Sequence, residues 1–448
     1  MIIYSLFSLA DTFFVARLGS VALAALSFSI PLQVFLVSIA SATGVGLTSS
    51  ISRALGAGNY KLADNIAWHG VLLSIIYGFF SIVIARYYLN DLLVFTGCTP
   101  EIFLLIKEYL EIILYGSFFI FLPIMLSNVI QGEGNTLWPM TVALAGILIN
   151  VALDPLLIFG YGPVKAMGLN GSALATIYAQ AVCSFLVIMI ARKSRGYLSW
   201  QFNNFRFKLV VFYKIFQVGF PTIIMELTGV FVMLVLNKIL AGFGNNAIAV
   251  LGIFLRLRSF FYMPVYGLTQ GVMPIAGFAF GGGSFDRVKE VFLKSSVLSV
   301  VFTGIAFYAM QFKSSWLLCF FSHDTALISL GVICMQLGTI FIPFMGPIVI
   351  LHTVLQAIGK GATAMWFSLI RHLVFFFPFL LILPEYIGIN GVWAAFSISE
   401  LLSLLLSVPF FISLWRELQL KNKISLITLS NPGYLLKRTL AWLKFDSF

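Results

Sequence analysis

The stretch LWPMTVALAGILINVALDPLLIF, residues 137–159, carries a single charge, Asp154. A helix needs about 20 apolar residues to cross the roughly 30 Å hydrocarbon core of a bilayer. This stretch meets that length, and turn-forming residues bound it on both sides (Gly134-Asn135 before, Gly160 after). It therefore reads as a transmembrane helix. The composition of the whole chain extends that reading. Of its 448 residues 60% are hydrophobic and 10% charged, and the mean hydropathy is +1.02. Soluble domains run near half apolar and a quarter charged. So few charges could not cover so much apolar surface in water. Soluble enzymes, nucleic-acid binders and disordered scaffolds are excluded on this ground, and a polytopic all-α membrane protein remains.

Apolar segments divided by polar punctuation predict twelve spans: 1–16, 21–51, 63–89, 103–130, 137–159, 169–192, 210–241, 246–280, 288–320, 327–357, 362–383 and 389–415. The run before Arg17 is shorter than a spanning helix needs, so the first helix reads as clipped. Prolines 31, 123, 264, 274, 343, 347 and 378 are expected to mark kinks. The twelve-span layout places eighteen of the 27 Lys and Arg residues on the side holding both termini and six on the other. Three, Arg256, Arg258 and Arg371, fall within spans. The positive-inside rule then makes both termini cytoplasmic, and the net charge of +11 reports orientation rather than affinity for nucleic acid. The polar stretch 192–214 separates six spans from six. The resulting organisation is an N-terminal six-helix lobe over 1–200, a C-terminal six-helix lobe over 206–418, and a cytoplasmic tail over 419–448. From Gly433 that tail reads as a basic amphipathic segment or a disordered one.

The two halves repeat. At a shift of 225 residues Gly19 meets Gly244, Ala22 meets Ala247, Gly46 meets Gly271, Gly56 meets Gly281, Gly58 meets Gly283, Gln131 meets Gln356 and Gly134 meets Gly359. Near the end the shift becomes 220, matching Gly168-Leu-Asn-Gly171 to Gly388-Ile-Asn-Gly391. Six spans per copy give both copies the same orientation, so a pseudo-twofold axis along the membrane normal is expected, with halves that rock around a central cavity.

No GxxxxGK[ST] phosphate loop and no serine–histidine–acid or metal-histidine cluster occurs in the sequence, so uphill work must draw on an ion gradient. The four histidines are scattered and the four cysteines far apart, which reads as structural use. Ionisable residues inside spans are more telling, because each costs several kcal/mol to insert. Asp11 lies in the first span and Asp154 in the fifth. Asn150 is four residues before Asp154 on the same helix face, and Pro155 removes a backbone donor beside it. Under the repeat Asp11 meets Leu236, and with Pro155 set on Pro378, Asp154 meets Phe377. The carboxylates belong to the first half alone, although the scaffold is duplicated. Two carboxylates with an amide and a hydroxyl suit Na⁺; the same pair could instead share a proton. The structural alternatives are a solvated helix end for Asp11 and a helix-break cap for Asp154. Glu226 in the seventh span suits attraction of a cationic cargo, and Asn128 is added as a cavity residue. Glu400 and Arg371, in the last two spans, are expected to pair, while Arg256 and Arg258 are expected to meet headgroups or close the outer end of the second half.

Several motifs together resemble one family. DTFFVARLGS (11–20), ALGAG (54–58), QGEGNT (131–136), NVALDP (150–155), GLNGSALAT (168–176), MPIAGF (273–278), QAIGKG (356–361) and GINGVW (388–393) are similar to the multidrug and toxic compound extrusion (MATE) transporters of bacteria and archaea. The resemblance spans nearly the whole chain. It implies a plasma-membrane antiporter that exports amphipathic, cationic drugs or metabolites in exchange for Na⁺ or H⁺. It places the family's cation site on Asp11, Asn150, Asp154 and Thr176. No cofactor beyond the coupling ion is implied, and the partners expected are small organic cations and membrane lipid, with no nucleic acid and a monomeric state. A flippase for lipid-linked oligosaccharides, of the same superfamily, is the alternative; a membrane enzyme and a passive channel are weaker readings.

Overall fold

The computed structural model describes residues 13–95, 98, 100–161, 165–193, 196–201 and 204–429. Its helices follow in order as α1 (Ser20–Gly56), α2 (Tyr60–Val83), a π-helical turn (Ile84–Tyr88), α3 (Leu89–Phe95), α4 (Pro100–Tyr115), α5 (Ser117–Gly132), α6 (Leu137–Phe159), α7 (Leu169–Lys193), α8 (Leu209–Ala241), α9 (Asn245–Gly281), α10 (Phe285–Phe312), α11 (Ser314–Cys319), α12 (Thr325–Gly338), α13 (Ile342–Ala357), α14 (Gly361–Leu369), a second π segment (Ile370–Phe376), α15 (Phe377–Ile387) and α16 (Ile389–Leu429). Among the described residues nine helices are long and apolar enough to cross a membrane, or eleven when each of two bent pairs is one span. These eleven are the second to twelfth spans expected from the sequence. Most of the expected first span, with Asp11, and the amphipathic reading from Gly433 lie outside the described residues.

The prolines expected to mark kinks differ in their settings. Pro31, Pro123, Pro264, Pro274 and Pro347 lie inside continuous helices. The 47° bend falls at Gly116, where a Cβ would stand 2.6 Å from Ile177 Cδ1. The 55° bend separates α12 from α13, just before Pro343, and Pro378 follows the second π segment. The expected 288–320 span divides at Lys313 into α10 and the short α11.

The helices are inverted relative to those of a soluble protein. On α10 the buried face carries Ser295, Ser299 and Thr303, while Val297, Val301, Ile305, Tyr308 and Phe312 on the other side are 53–69% exposed. Thr303 Oγ1 donates to the Pro343 carbonyl at 2.9 Å, and Gly346 of α13 lies so close that a Cβ there would stand 2.7 Å from Ser299 Oγ. Small and hydroxylated residues join helices here, and apolar side chains face outward, as expected in lipid.

The chain forms two compact units: residues 1–52, 59–231 and 359–365 in one, 53–58, 232–358 and 366–448 in the other. In the first, Leu122, Leu126 and Ile130 of α5 pack with Val142, Cys183 and Val187 of α6 and α7. In the second, Phe254, Phe367, Leu380 and Trp393 centre the core.

The repeat read from the sequence reappears in backbone geometry. Positive φ occurs at Gly19 and Gly244 (110° and 99°), Gly58 and Gly283 (73° and 75°), Gly134 and Gly359 (92° and 87°), and Gly168 and Gly388 (57° and 59°). Each pair is one of the matched pairs. L side chains resist this conformation, so each copy uses glycine at the same four turns. Within the second unit, Gly56 approaches the Phe278 carbonyl and Gly281 approaches the Arg53 carbonyl, each too closely for a Cβ. The two contacts are counterparts under the 225-residue shift.

Candidate functional site

The site predicted in the first half is built where α6 meets α7. These helices run against each other because two glycines leave no side chain between them: a Cβ on Gly146 would overlap Cys183 Sγ, and one on Gly171 would overlap the Leu157 carbonyl. The connecting loop returns to α6 through Met167 N–H to the Leu157 carbonyl (3.0 Å) and Gly168 N–H to the Ile158 carbonyl (3.1 Å), which closes the end of the helix.

On α6 the four-residue spacing places Asn150 and Asp154 on one buried face, 2% and 0% exposed. With its nitrogen turned to the carboxylate, the Asn150 amide donates to Asp154 Oδ2 at 3.0 Å. Its oxygen then accepts from Thr176 Oγ1 (3.2 Å) and from the Thr176 N–H (3.1 Å). Three of the four residues assigned by resemblance thus form one hydrogen-bonded chain across two helices; Asp11 lies outside the described residues. The helix-break reading of Asp154 is overturned, since α6 continues through Pro155 to Phe159. Pro155 still cannot donate to the Val151 carbonyl, so backbone oxygen is exposed one turn from the carboxylate. A buried carboxylate, an amide and a hydroxyl offer hard oxygen ligands to a small cation, or a seat for a proton on Asp154. Among the described residues no group of three or more His, Cys, Asp or Glu side chains is arranged to hold a metal ion.

Glu226 lies on α8, exposed, within an apolar spanning helix. A carboxylate against lipid would be costly, and ionisable groups in spanning helices usually line a polar cavity or pair with another group. Asn128 on α5 is tied to α1: its side-chain oxygen accepts from Thr48 Oγ1 at 3.2 Å, its carbonyl accepts from the same hydroxyl at 2.8 Å, and it sits directly over Gly44.

Two arrangements were not read from the sequence. In the second unit Arg258, not Arg371, pairs with Glu400: Arg258 Nη2 donates to Glu400 Oε1 at 2.5 Å. This corrects both the expected Arg371–Glu400 pair and the assignment of Arg258 to headgroups. In the first unit the stretch between α7 and α8 is fastened to α2 and to the loop after α5. Buried Asp64 accepts from the Ser199 N–H (2.8 Å), the Ser199 hydroxyl and Asn204 Nδ2 (2.8 Å). Glu133 Oε1 accepts from the Leu198 N–H at 2.8 Å. Asn65 Oδ1 accepts from the Arg206 N–H at 3.2 Å. His69 donates through Nδ1 to the Asn65 carbonyl (2.8 Å) and accepts at Nε2 from the Lys208 N–H (3.3 Å). His69 is thus structural, as its isolation suggested. The available signal was three polar residues, Asp64, Asn65 and His69, at the start of an apolar span.

The profile of the MatE family matches residues 1–156 and 221–382. The chain belongs to the MATE family of transporters. It is similar to an FAD transporter of Shewanella oneidensis, 28% identical over 401 residues and covering 88% of each chain. It is also similar to the multidrug export protein MepA of Staphylococcus saprophyticus, 26% identical over 397 residues, 88% of this chain and 86% of the relative. Among solved structures, a MATE transporter in complex with MaD3S superposes with a TM-score of 0.86 at 23% identity, covering 94% of this chain and 93% of that one. The Vibrio cholerae MATE transporter VcmN in its bent form gives 0.84 at 23%, covering 94% of each. The MATE chain is thus an integral membrane transporter with the all-α, two-half architecture expected from its sequence, and eleven of the twelve expected spans lie among the described residues when each bent pair is one span.

Proposed function

We propose that this transporter is an antiporter of the plasma membrane, with both termini cytoplasmic, that exports amphipathic organic cations against an inward flow of Na⁺ or H⁺. Its two six-helix lobes, 1–200 and 206–418, alternate access around the cargo. The buried chain Asp154–Asn150–Thr176 carries this reading, because an ionisable group held at the meeting of two spanning helices has no packing purpose that leucine would not serve better. The coupling ion enters at Asp154 with Asp11, and the carboxylate of Glu226 draws cationic cargo. Ion and cargo need only favour opposite conformations for exchange to follow. The relatives named for multidrug export support small organic molecules as cargo.

The test is efflux of a fluorescent cationic dye from cells or everted vesicles, with a Na⁺ gradient and a pH gradient imposed separately. Efflux that needs Asp154 and collapses with one gradient identifies the ion. Undiminished coupled efflux by Asp154→Asn, at equal membrane insertion, refutes the assignment.

A further inference from the structure

The spanning helices of the second unit hold two guanidinium groups and one carboxylate near each other. Arg258 of α9 is paired. It donates to Glu400 Oε1 and lies among the rings of Tyr262, Phe396 and Phe254, 5.5, 5.8 and 6.0 Å from their centroids. Arg371, in the second π segment, is different. Its charge acts on Glu400, Arg258, Tyr262 and Tyr266, yet among the described residues it has no hydrogen bond or ion pair. Around it stand buried polar atoms that also lack hydrogen-bond partners: Glu400 Oε2, Tyr262 Oη and His352 Nε2. Buried polar groups are normally satisfied, and a cation in a spanning segment is normally paired. Here a guanidinium without an ion pair, a buried hydroxyl and one carboxylate oxygen all remain without hydrogen-bond partners among the described residues. Tyr266, which also feels the Arg371 charge, is exposed.

We propose that Arg371, Tyr262 and Glu400 form a binding site for a phosphate group, and that the cargo of this transporter extends to organic phosphates. A phosphate monoanion matches the unmet needs of the cluster. Its oxygens accept from the planar fork of Arg371 and from Tyr262, and its single O–H donates to Glu400 Oε2. Arg258 meanwhile neutralises the carboxylate that would otherwise repel it. The inference rests on the reading of the chain as an exporter and widens its cargo beyond cations. The similarity to an FAD transporter agrees with it.

The experiment is equilibrium binding of riboflavin 5′-phosphate and of riboflavin to the purified transporter in phosphatidylcholine nanodiscs, read by flavin fluorescence. The phosphate should tighten binding by roughly tenfold or more, the worth of charge-assisted hydrogen bonds. Arg371→Gln should erase that difference while Arg371→Lys keeps part of it. Equal binding of the two flavins by the wild-type protein overturns the proposal without reliance on any variant. In a second arm phosphatidate replaces part of the phosphatidylcholine. Arg371-dependent competition supports a phosphate site filled from lipid, and undiminished flavin phosphate binding supports a site filled by cargo. Because binding is read without transport, a failure of cationic dye export refutes the antiport reading alone.

Discussion

Asp64 and Asn204 are 140 residues apart in the chain, and the Asn204 amide donates to the buried Asp64 carboxylate at 2.8 Å. With the Ser199 bonds this makes one carboxylate the anchor of the stretch between the two sequence halves. Asp64→Ala leaves the Ser199 N–H and the Asn204 amide without their acceptor. The expected loss is about 2–3 kcal/mol, seen as a lower melting temperature and faster proteolysis between residues 194 and 207. Asp64→Asn, which keeps one oxygen acceptor, should fall between the two.

Glu133 gives that anchorage a pH dependence. Burial pushes its carboxyl above the ordinary value of 4.5, the N–H groups of Leu198 and Tyr197 oppose this, and nearby Asp64 adds to the rise. The folded state therefore binds the proton more tightly than the unfolded chain. Its contribution to stability is complete below the unfolded value and is lost as pH rises through the folded one. Glu133→Gln, neutral throughout, should melt higher than wild type at pH 8, with the gap closing towards pH 4. Gly196→Ala should mimic the loss of the contact, since a Cβ there would overlap Glu133 Oε1.

The bridge between α6 and α7 can be cut at its centre. Asn150→Leu removes both the donor to Asp154 and the acceptor for Thr176. Coupled efflux should fall at least tenfold with insertion retained, because the carboxylate loses the amide that donates to it. Thr176→Val should cost less, since one bond is lost and the shape is kept. Transport at wild-type rate in both variants would separate the bridge from coupling.

Arg258 and Glu400 should behave as a unit. Removing either alone, as Arg258→Met or Glu400→Leu, leaves a charge without its partner and should cost about 3–5 kcal/mol. The double variant should recover most of that loss. A thermodynamic cycle on melting curves in detergent measures the coupling; additive losses would contradict it.

The counterpart contacts Gly56–Phe278 and Gly281–Arg53 leave no room for a methyl group. Gly56→Ala and Gly281→Ala should each lower the yield of folded protein in the membrane, read by fluorescence-detected size exclusion, and to a similar extent because the contacts are equivalent. Gly58 and Gly283 have open space for a Cβ but positive φ, so alanine there should cost only about 1 kcal/mol of backbone strain.

The membrane class, the ends of α6, the duplication and the chain of Asn150 with Asp154 were all legible in the residues. Each depends on a local or periodic signal: span hydropathy, the four-residue helical repeat, or glycine at turns that require positive φ. Of the prolines, Pro343 adjoins the 55° bend and Pro378 the second π segment, whereas the helices through Pro31, Pro123, Pro264, Pro274 and Pro347 are continuous, as a spanning helix can be where its neighbours satisfy the freed carbonyl.

Pairings between distant polar groups were decided by the tertiary structure alone. Arg258 lies 142 residues from Glu400, and Asp64 lies 135 from Ser199. Nothing in the residues around Arg371 distinguishes it from Arg258 as the partner of Glu400. Hydrophobicity assigns a helix to the bilayer residue by residue, but which of two cations meets a carboxylate depends on helix rotation and crossing. Those are set by the packing of every neighbouring helix at once, and that leaves Arg258 paired and Arg371 open.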